Sequence, residues 1–251
     1  MTNRFQDKVV VITGGGSGIG RAMAVKLAKE GAFVVIAGRR ESALKETAAL
    51  NKNISYVVAD ITKTSNITDI VNFINKEYGG KIDVLINNAG YCPVQPLKDI
   101  TLEDYDNAFN LDVRALVDMT IQSLPAILKA KGNIINLSTV GATHRAPNLS
   151  MYVGAKAAVE NFTRCWAIEL AADGVRVNAI APGAVDTDIW TVPGLTEEQA
   201  LAHRANIAKT IPCNRFAVPE EIANVAAFLA SDEASYVSGA IYAVDGAQGA
   251  S

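Results

Sequence analysis

The 251-residue sequence is poor in cysteine and has no long apolar run. Its three cysteines, Cys92, Cys165 and Cys213, lie far apart. They form neither a zinc knuckle nor the dense, even set of a secreted disulfide scaffold. The N-terminal stretch runs from charged residues into a short apolar segment that ends in glycines, and no segment approaches 18 apolar residues. We therefore expect a cytoplasmic protein without an export signal or a membrane span.

The sequence also lacks any block of like charge. Its 23 basic and 26 acidic residues give a formal net charge of −3, which argues against nucleic acid or an anionic membrane as the partner. The two histidines, His144 and His203, are distant from any cysteine or acid cluster, so we expect no metal site. With 49% hydrophobic and 20% charged residues, the composition is that of a globular protein.

Short β-branched segments alternate along the chain with segments of helical periodicity. One helical pattern covers Ile19 to Glu30 and stops at Gly31, and another opens with Thr101 and Asp104 spaced as in a capping box. This alternation predicts an α/β fold, a doubly wound parallel sheet with helices on both faces. No linker interrupts it, so we expect one domain over residues 1–251. The predicted strands are Lys8 to Thr13, Phe33 to Ala37, Tyr56 to Val58, Val84 to Ile86, Asn133 to Leu137, Arg176 to Ile180 and Ala240 to Val244.

A glycine cluster lies between the first predicted strand and the first predicted helix. It reads Thr13-Gly14-Gly15-Gly16-Ser17-Gly18-Ile19-Gly20. At such a turn, glycines permit close approach, and the free N–H groups of the helix attract a pyrophosphate. The spacing of Gly14, Gly18 and Gly20 differs from the usual G-x-G-x-x-G. A purely structural tight turn is the alternative.

The second predicted strand ends in cations. NAD-binding sites of this design usually carry an acid there for the ribose hydroxyls, but this chain has Gly38-Arg39-Arg40. A guanidinium binds phosphate through charge-assisted, forked hydrogen bonds, so Arg39 favours the 2′-phosphate of NADP(H). The alternative is a solvated arginine pair, and Glu41, which follows directly, weakens the phosphate interpretation.

Tyr152 and Lys156 lie four residues apart on a helix predicted from Ser150 to Asp173. This spacing places both side chains on one face. An adjacent ammonium favours the phenolate, so the pair is a candidate general acid and base for a carbonyl or an alcohol. Alone the pattern is weak, because most such pairs are surface residues.

Together these motifs, in this order, resemble the short-chain dehydrogenase/reductase superfamily. The similarity extends over essentially the whole chain and is strongest to its compact branch of about 250 residues, which includes 3-oxoacyl-carrier-protein reductases. It implies a seven-stranded Rossmann-type sheet, an NAD(P) cofactor and a homotetramer, or a homodimer. The motifs are Thr13 to Gly20, Asp60, Asn87-Asn88-Ala89-Gly90, Tyr152 with Lys156, Pro182-Gly183 with Thr187, and Val244-Asp245-Gly246.

The resemblance also implies residue roles. Tyr152 would be the catalytic acid and base, and Lys156 would bind the nicotinamide ribose and lower the pKa of the tyrosine. Asp60 and Ile61 would flank the adenine, and the segment from Pro182 to Thr187 would hold the carboxamide. The full set expected to bind the cofactor is Gly14, Gly16, Ser17, Gly18, Ile19, Gly20, Arg39, Arg40, Asp60, Ile61, Asn88, Ala89, Gly90, Tyr152, Lys156, Pro182, Gly183, Val185 and Thr187.

Two positions depart from the family pattern. The catalytic serine of the family corresponds to Thr139, and its asparagine corresponds to Asp112. We expect the Thr139 hydroxyl to face the substrate, with Ser138 as the less favoured alternative because strand neighbours face opposite sides. Asn110 cannot replace Asp112, since helical positions two apart differ by about 200°.

The remaining predictions concern the substrate. Residues 188–215 are expected to form a lid, and the pocket is apolar, which favours a neutral, medium-sized compound. The sequence therefore predicts an NADP(H)-dependent oxidoreductase that acts on a ketone or secondary alcohol. The alternative is a cofactor-binding sensor or subunit with impaired catalysis. The expected pocket residues are Tyr91, Val140, His144, Leu149 and Trp190.

Overall fold

The computed structural model describes residues 3–144, 147–187 and 196–250. Its centre is a parallel sheet of seven strands in the order β3-β2-β1-β4-β5-β6-β7, which confirms the predicted doubly wound Rossmann-type fold. The crossover from β3 to β4 reverses the direction in which strands are added. The strands are β1 (Val9–Thr13), β2 (Phe33–Gly38), β3 (Ile54–Val58), β4 (Val84–Asn87), β5 (Asn133–Leu137), β6 (Arg176–Pro182) and β7 (Ile241–Val244).

Helices cover both faces of this sheet. Met23 and Ile222, from the first and last helices, belong to one buried core, and Ile70 and Met119 belong to the core on the opposite face. A π-helical turn, Asn110–Arg114, joins the fourth helix to the fifth. The helices are α1 (Gly18–Lys29), α2 (Glu41–Ala49), α3 (Thr64–Glu77), α4 (Leu102–Phe109), α5 (Ala115–Ala130), α6 (Ser150–Glu169), α7 (Glu197–Ala208) and α8 (Pro219–Ala230).

Local signals in the sequence locate several helix ends. Thr101 and Asp104 form the predicted capping box: the Thr101 hydroxyl accepts from the Asp104 N–H at 3.2 Å, and the Asp104 carboxylate accepts from the Thr101 N–H at 2.8 Å. Gly31 follows α1 with φ of 101°. The helix predicted from Ser150 to Asp173 ends earlier, at Glu169, and a 3₁₀ turn covers Ala171–Asp173.

Strand β6 is longer than its sequence pattern predicted. It was expected to end at Ile180, but it extends to Pro182 because β7 pairs with it over Ala179 to Pro182. Proline is tolerated at this end of the strand, where it is not required to donate. None of the helices in the described part of the chain is long and apolar enough to span a membrane.

Candidate functional site

A cavity of about 340 Å³ opens at the carboxyl ends of the strands, where the strand order reverses. Ligands of open α/β sheets bind at such a switch point. Four further lining residues were not predicted by any motif: Ala37, Ala59, Thr62 and Leu111. For the first three, the ends of β2 and β3 were the available signal. The lining residues that the sequence did predict are Gly14, Ser17, Gly18, Ile19, Gly20, Arg39, Arg40, Asp60, Ile61, Asn88, Ala89, Gly90 and Thr187.

The turn between β1 and α1 is shaped for a bound anion. Gly14 has φ of 70°, and a Cβ on Gly20 would clash with the Gly14 carbonyl oxygen and lie 2.6 Å from the Asn88 amide nitrogen. The side chain of Ser17, the N-cap residue, makes no capping hydrogen bond. The first N–H groups of α1 therefore point to the cavity without a side-chain partner at the cap. These residues fit the diphosphate of a dinucleotide.

Asn88, which directly follows β4, is hydrogen-bonded to this turn. Its Nδ2 donates to the carbonyl oxygens of Thr13 at 2.9 Å and Gly14 at 3.2 Å. The Thr13 hydroxyl in turn accepts from the N–H groups of Asn88 and Ala89, at 3.0 and 3.1 Å. Asn88 thus ties two strands together and also lines the cavity.

Cations border the cavity at the end of β2. Arg39 and Arg40 are both exposed, and Arg40 donates to the Ser17 hydroxyl at 3.2 Å. Just after the neighbouring strand β3, the Asp60 carboxylate accepts from the hydroxyl and the N–H of Thr62, at 2.7 and 3.2 Å. These hydrogen bonds, with the nearby positive charge of Arg39, hold the pKa of Asp60 below its usual value.

The Thr139 hydroxyl lies next to that of Tyr152, where hydrogen bonding from Thr139 acts to lower the pKa of the tyrosine. Thr139 directly follows β5, and its hydroxyl also accepts from the Gly141 N–H at 3.2 Å. Ser138 faces the other way: its hydroxyl is buried and donates to Glu160 at 2.8 Å. Of the two candidate hydroxyls, the structure therefore brings Thr139 to the tyrosine. The Glu160 partner had no recognisable signal in the sequence.

Lys156 lies one turn after Tyr152 and is engaged in a buried ion pair. Its Nζ donates to the Leu137 carbonyl oxygen at 2.9 Å and lies 3.3 Å from Oδ1 of Asp112. The Asp112 carboxylate also accepts from the Tyr91 N–H at 3.1 Å. The Lys156 ammonium is 5.8 Å from the centre of the Tyr152 ring. The sequence aligned Asp112 with this site but gave no indication of the direct pairing.

The pKa of Tyr152 shifts in the direction opposite to the sequence-based expectation. Burial raises its pKa above that of a free tyrosine, and Cys92 and Asp112 add to the increase, whereas the hydrogen bond from Thr139 opposes it. The expected lowering of this pKa by Lys156 is therefore wrong. Burial also raises the pKa of Asp112, with Lys156 opposing, and raises the pKa of the Cys92 thiol to about 11.

Some predicted cofactor residues lie outside the cavity lining. The Gly16 carbonyl oxygen accepts from the Arg21 side chain at 2.7 Å. Pro182 is the last residue of β6, and Val185 forms a parallel bridge with Ala217. Gly183 follows β6, where its N–H donates to the carbonyl oxygen of Val244 at 3.1 Å.

The predicted pocket residues come from separate segments of the chain. Tyr91 is half exposed and Val140 is buried, while His144 is exposed and Leu149 precedes α6. Trp190 lies outside the described residues, as do residues 188–195 of the predicted lid. The remainder of that segment contains α7.

Comparison with known proteins agrees with this geometry. Residues 14–247 match a family model described as enoyl-(acyl carrier protein) reductase. The chain is 37% identical over 249 residues to a 3-oxoacyl-[acyl-carrier-protein] reductase of Thermotoga maritima, covering 97% of this chain and 98% of the relative. It is also 37% identical over 250 residues to meso-2,3-butanediol dehydrogenase of Serratia marcescens, covering 99% and 97%.

A solved structure shows the same fold. The 3-ketoacyl-(acyl-carrier-protein) reductase of Brucella melitensis, complexed with NADH, superposes with a TM-score of 0.89 at 32% identity, over 98% of this chain and 99% of that one. The chain belongs to the short-chain dehydrogenase/reductase family, whose members are oxidoreductases that act on carbonyl and alcohol groups. The family binds a nicotinamide cofactor.

Proposed function

We propose that this protein is an NADP(H)-dependent oxidoreductase that transfers a hydride between the nicotinamide and a ketone or secondary alcohol. The observation that carries the proposal is that the hydroxyls of Tyr152 and Thr139 lie together at the carboxyl end of β5, with Lys156 one turn away. The pair lies next to the strand ends that form the dinucleotide cavity. A proton donor and a hydride source would then act on the same carbonyl group.

Side chains of this protein bind the substrate's carbonyl oxygen and supply or accept its proton. In reduction, Tyr152 donates its phenolic proton to the carbonyl oxygen, and Thr139 donates a hydrogen bond to the same oxygen. Alcohol oxidation reverses these steps and requires the phenolate. Lys156 is placed to bind the nicotinamide ribose. The bound cofactor supplies or accepts the hydride.

Arg39 and Arg40 support a preference for NADP(H). Both side chains are exposed at the rim of the cavity, next to the glycine turn, where they can contact the 2′-phosphate of a bound cofactor. Glu41, the nearest acid in sequence, pairs with Lys45 at 3.0 Å. The ion-pair partner of Glu41 is therefore Lys45 and neither of the two arginines.

The proposal also covers the location, the substrate and the assembly of the protein. We place the protein in the cytoplasm, since Cys92, Cys165 and Cys213 are all free thiols. The substrate is a neutral compound. The assembly is a homotetramer, or a homodimer, for which α5 and α6 supply an exposed apolar surface.

The test is oxidation of NADPH in the presence of a panel of neutral ketones, followed at 340 nm. Tyr152→Phe keeps the ring and removes the proton donor, so turnover should fall by about two to four orders of magnitude. Binding of NADPH, measured by fluorescence titration, should persist. Unchanged turnover in this variant would disprove the role of Tyr152.

The rival function is a cofactor-binding sensor or subunit without catalysis. It rests on the replacements at Asp112 and Thr139. NADPH binding without reduction of any ketone, and without oxidation of secondary alcohols by NADP, would favour that function. Reduction of even one ketone that depends on Tyr152 would exclude it.

A further inference from the structure

Asp112 is a buried acid next to Lys156, whereas the family pattern has a neutral asparagine at this position. Asp112 is fully buried, with 0% of its side chain exposed, and Lys156 is 3% exposed. The π-helical turn between α4 and α5 brings the carboxylate to 3.3 Å from the ammonium. Because both side chains are buried, bulk solvent screens their charges only weakly.

The groups that face Tyr152 come from four elements. Cys92 lies after β4, Asp112 on the π-helical turn, Lys156 on α6 itself, and Thr139, which is uncharged, after β5. The Cys92 thiol, with a pKa of about 11, is protonated at neutral pH. Within the described part of the chain, the charges next to the tyrosine are thus one cation and one anion.

These two charges act on the phenol in opposite directions. An unpaired ammonium 5.8 Å from the ring would stabilise the phenolate. A carboxylate 3.3 Å from the ammonium cancels most of its field at that distance. Burial then dominates, and burial favours the neutral phenol over the phenolate.

We propose that Asp112 is a positioning residue that compensates the charge of Lys156 and thereby keeps Tyr152 in its proton-donating form. The inference rests on the proposed function of Tyr152. In each turnover Tyr152 gives its proton to the carbonyl oxygen as the carbonyl carbon accepts the hydride that a bound reduced nicotinamide would supply. A proton from solution then restores Tyr152. The site is thereby suited to carbonyl reduction over a wide range of pH.

The experiment is an ultraviolet difference titration of tyrosinate, in which the signal of Tyr152→Phe is subtracted to isolate Tyr152. In the unmodified protein, Tyr152 should titrate above the free-tyrosine value of about 10. In Asp112→Asn, which removes the charge and keeps an acceptor for the Tyr91 N–H, the midpoint should fall by about one to two pH units. The pH profile of alcohol oxidation should shift by the same amount.

Asp83→Asn is the matched control. Asp83 is also buried, and it pairs with Lys81 at 2.9 Å and Lys8 at 3.3 Å, but it lies before β4, at the opposite end of the sheet. Its replacement should leave the midpoint of Tyr152 unchanged. Asp112→Ser, which also removes the charge, serves if Asp112→Asn does not fold by circular dichroism.

Three outcomes would overturn the proposal. The first is a Tyr152 midpoint at or below about 10 in the unmodified protein, which needs no variant of Asp112. The second is an unchanged midpoint in the Asp112 variants, and the third is an equal shift in Asp83→Asn. If the midpoints shift as expected but no ketone is reduced, the proposed function fails and the charge compensation by Asp112 stands.

Discussion

At the scale of single residues, the site depends on which hydroxyl, acid or cation occupies each position. The sequence predicted most of these identities, because the motifs near Gly14, Asn88 and Tyr152 are local in the chain. It did not predict the contact between Asp112 and Lys156. That contact depends on a π-helical turn and on burial, and both are set by tertiary packing.

The choice of cofactor is also decided by single side chains. Arg39→Ala removes a charge-assisted contact worth about 1.5–3 kcal/mol, so the KM for NADPH should rise by roughly ten- to a hundredfold. The KM for NADH should barely change, because NADH carries no 2′-phosphate. Steady-state kinetics with both cofactors checks this. Arg39→Lys is the control that keeps the charge without the fork, and it should lose less.

Equal use of NADPH and NADH by the unmodified protein would contradict a phosphate site at the end of β2. It would also favour the alternative of a solvated arginine pair.

Thr139 offers a second test at this scale. Thr139→Val keeps the shape and removes the donor, so turnover should fall by about ten- to a thousandfold, as expected for one oxyanion contact. Thr139→Ser should retain activity and accept bulkier ketones, because it lacks the methyl group that stiffens and narrows the site. Turnover numbers across a series of ketones of increasing size measure both effects.

Ser138→Ala completes this series. The Ser138 hydroxyl donates to Glu160 and not to Tyr152, so this variant should retain its turnover and lose some thermal stability. If Ser138→Ala had no turnover while Thr139→Val kept the turnover of the parent, the two hydroxyls would have exchanged roles.

At the scale of elements, the sequence predicted the strands well and their ends less well. Buried parallel strands are continuous β-branched runs, so β1, β2 and β5 were evident from composition. The last residues of β6 were missed, since they belong to the strand only because β7 pairs with them. The turn at Asn110–Arg114 had no signal, because its sequence is compatible with an ordinary helix.

The element that should tolerate least change is the turn from β1 into α1. Gly20→Ala places a methyl group against the Gly14 carbonyl oxygen and the Asn88 amide, so the turn must open. We expect a loss of NADPH affinity of at least tenfold and a lower melting temperature. Fluorescence titration and thermal unfolding measure the two effects.

Gly154→Ala is the control for that substitution. Gly154 lies within α6, where a Cβ would meet its nearest neighbour, a Phe109 ring atom, at 4.0 Å. A helical alanine in place of glycine is worth about 0.5–1 kcal/mol, so this variant should be as stable as the parent or more so. If Gly20→Ala bound NADPH as tightly as Gly154→Ala, the turn would not be the diphosphate site.

At the scale of the whole molecule, the apolar surface of α5 and α6 predicts self-association. Ile121 on α5 is 62% exposed and Ile168 on α6 is 80% exposed, and both helices pack on the same face of the sheet. Ile121→Glu with Ile168→Glu should lower the molar mass measured by light scattering. Leu50→Glu, at the end of α2 on the other face, should not. A monomeric parent would refute the proposed assembly.

The order of strands also affects how the sheet is completed during synthesis. β6 pairs with β7, but residues 183–240 separate them, and at about 5–20 residues per second the ribosome needs several seconds to make that stretch. Throughout this interval β6 is an open edge, which is a hazard for aggregation. Asn178 on β6 binds the chain that precedes β7. Its Nδ2 donates to the Val237 carbonyl oxygen at 2.8 Å, and its Oδ1 accepts from the Ala240 N–H at 3.1 Å. These two bonds hold the chain against β6 just before β7 begins.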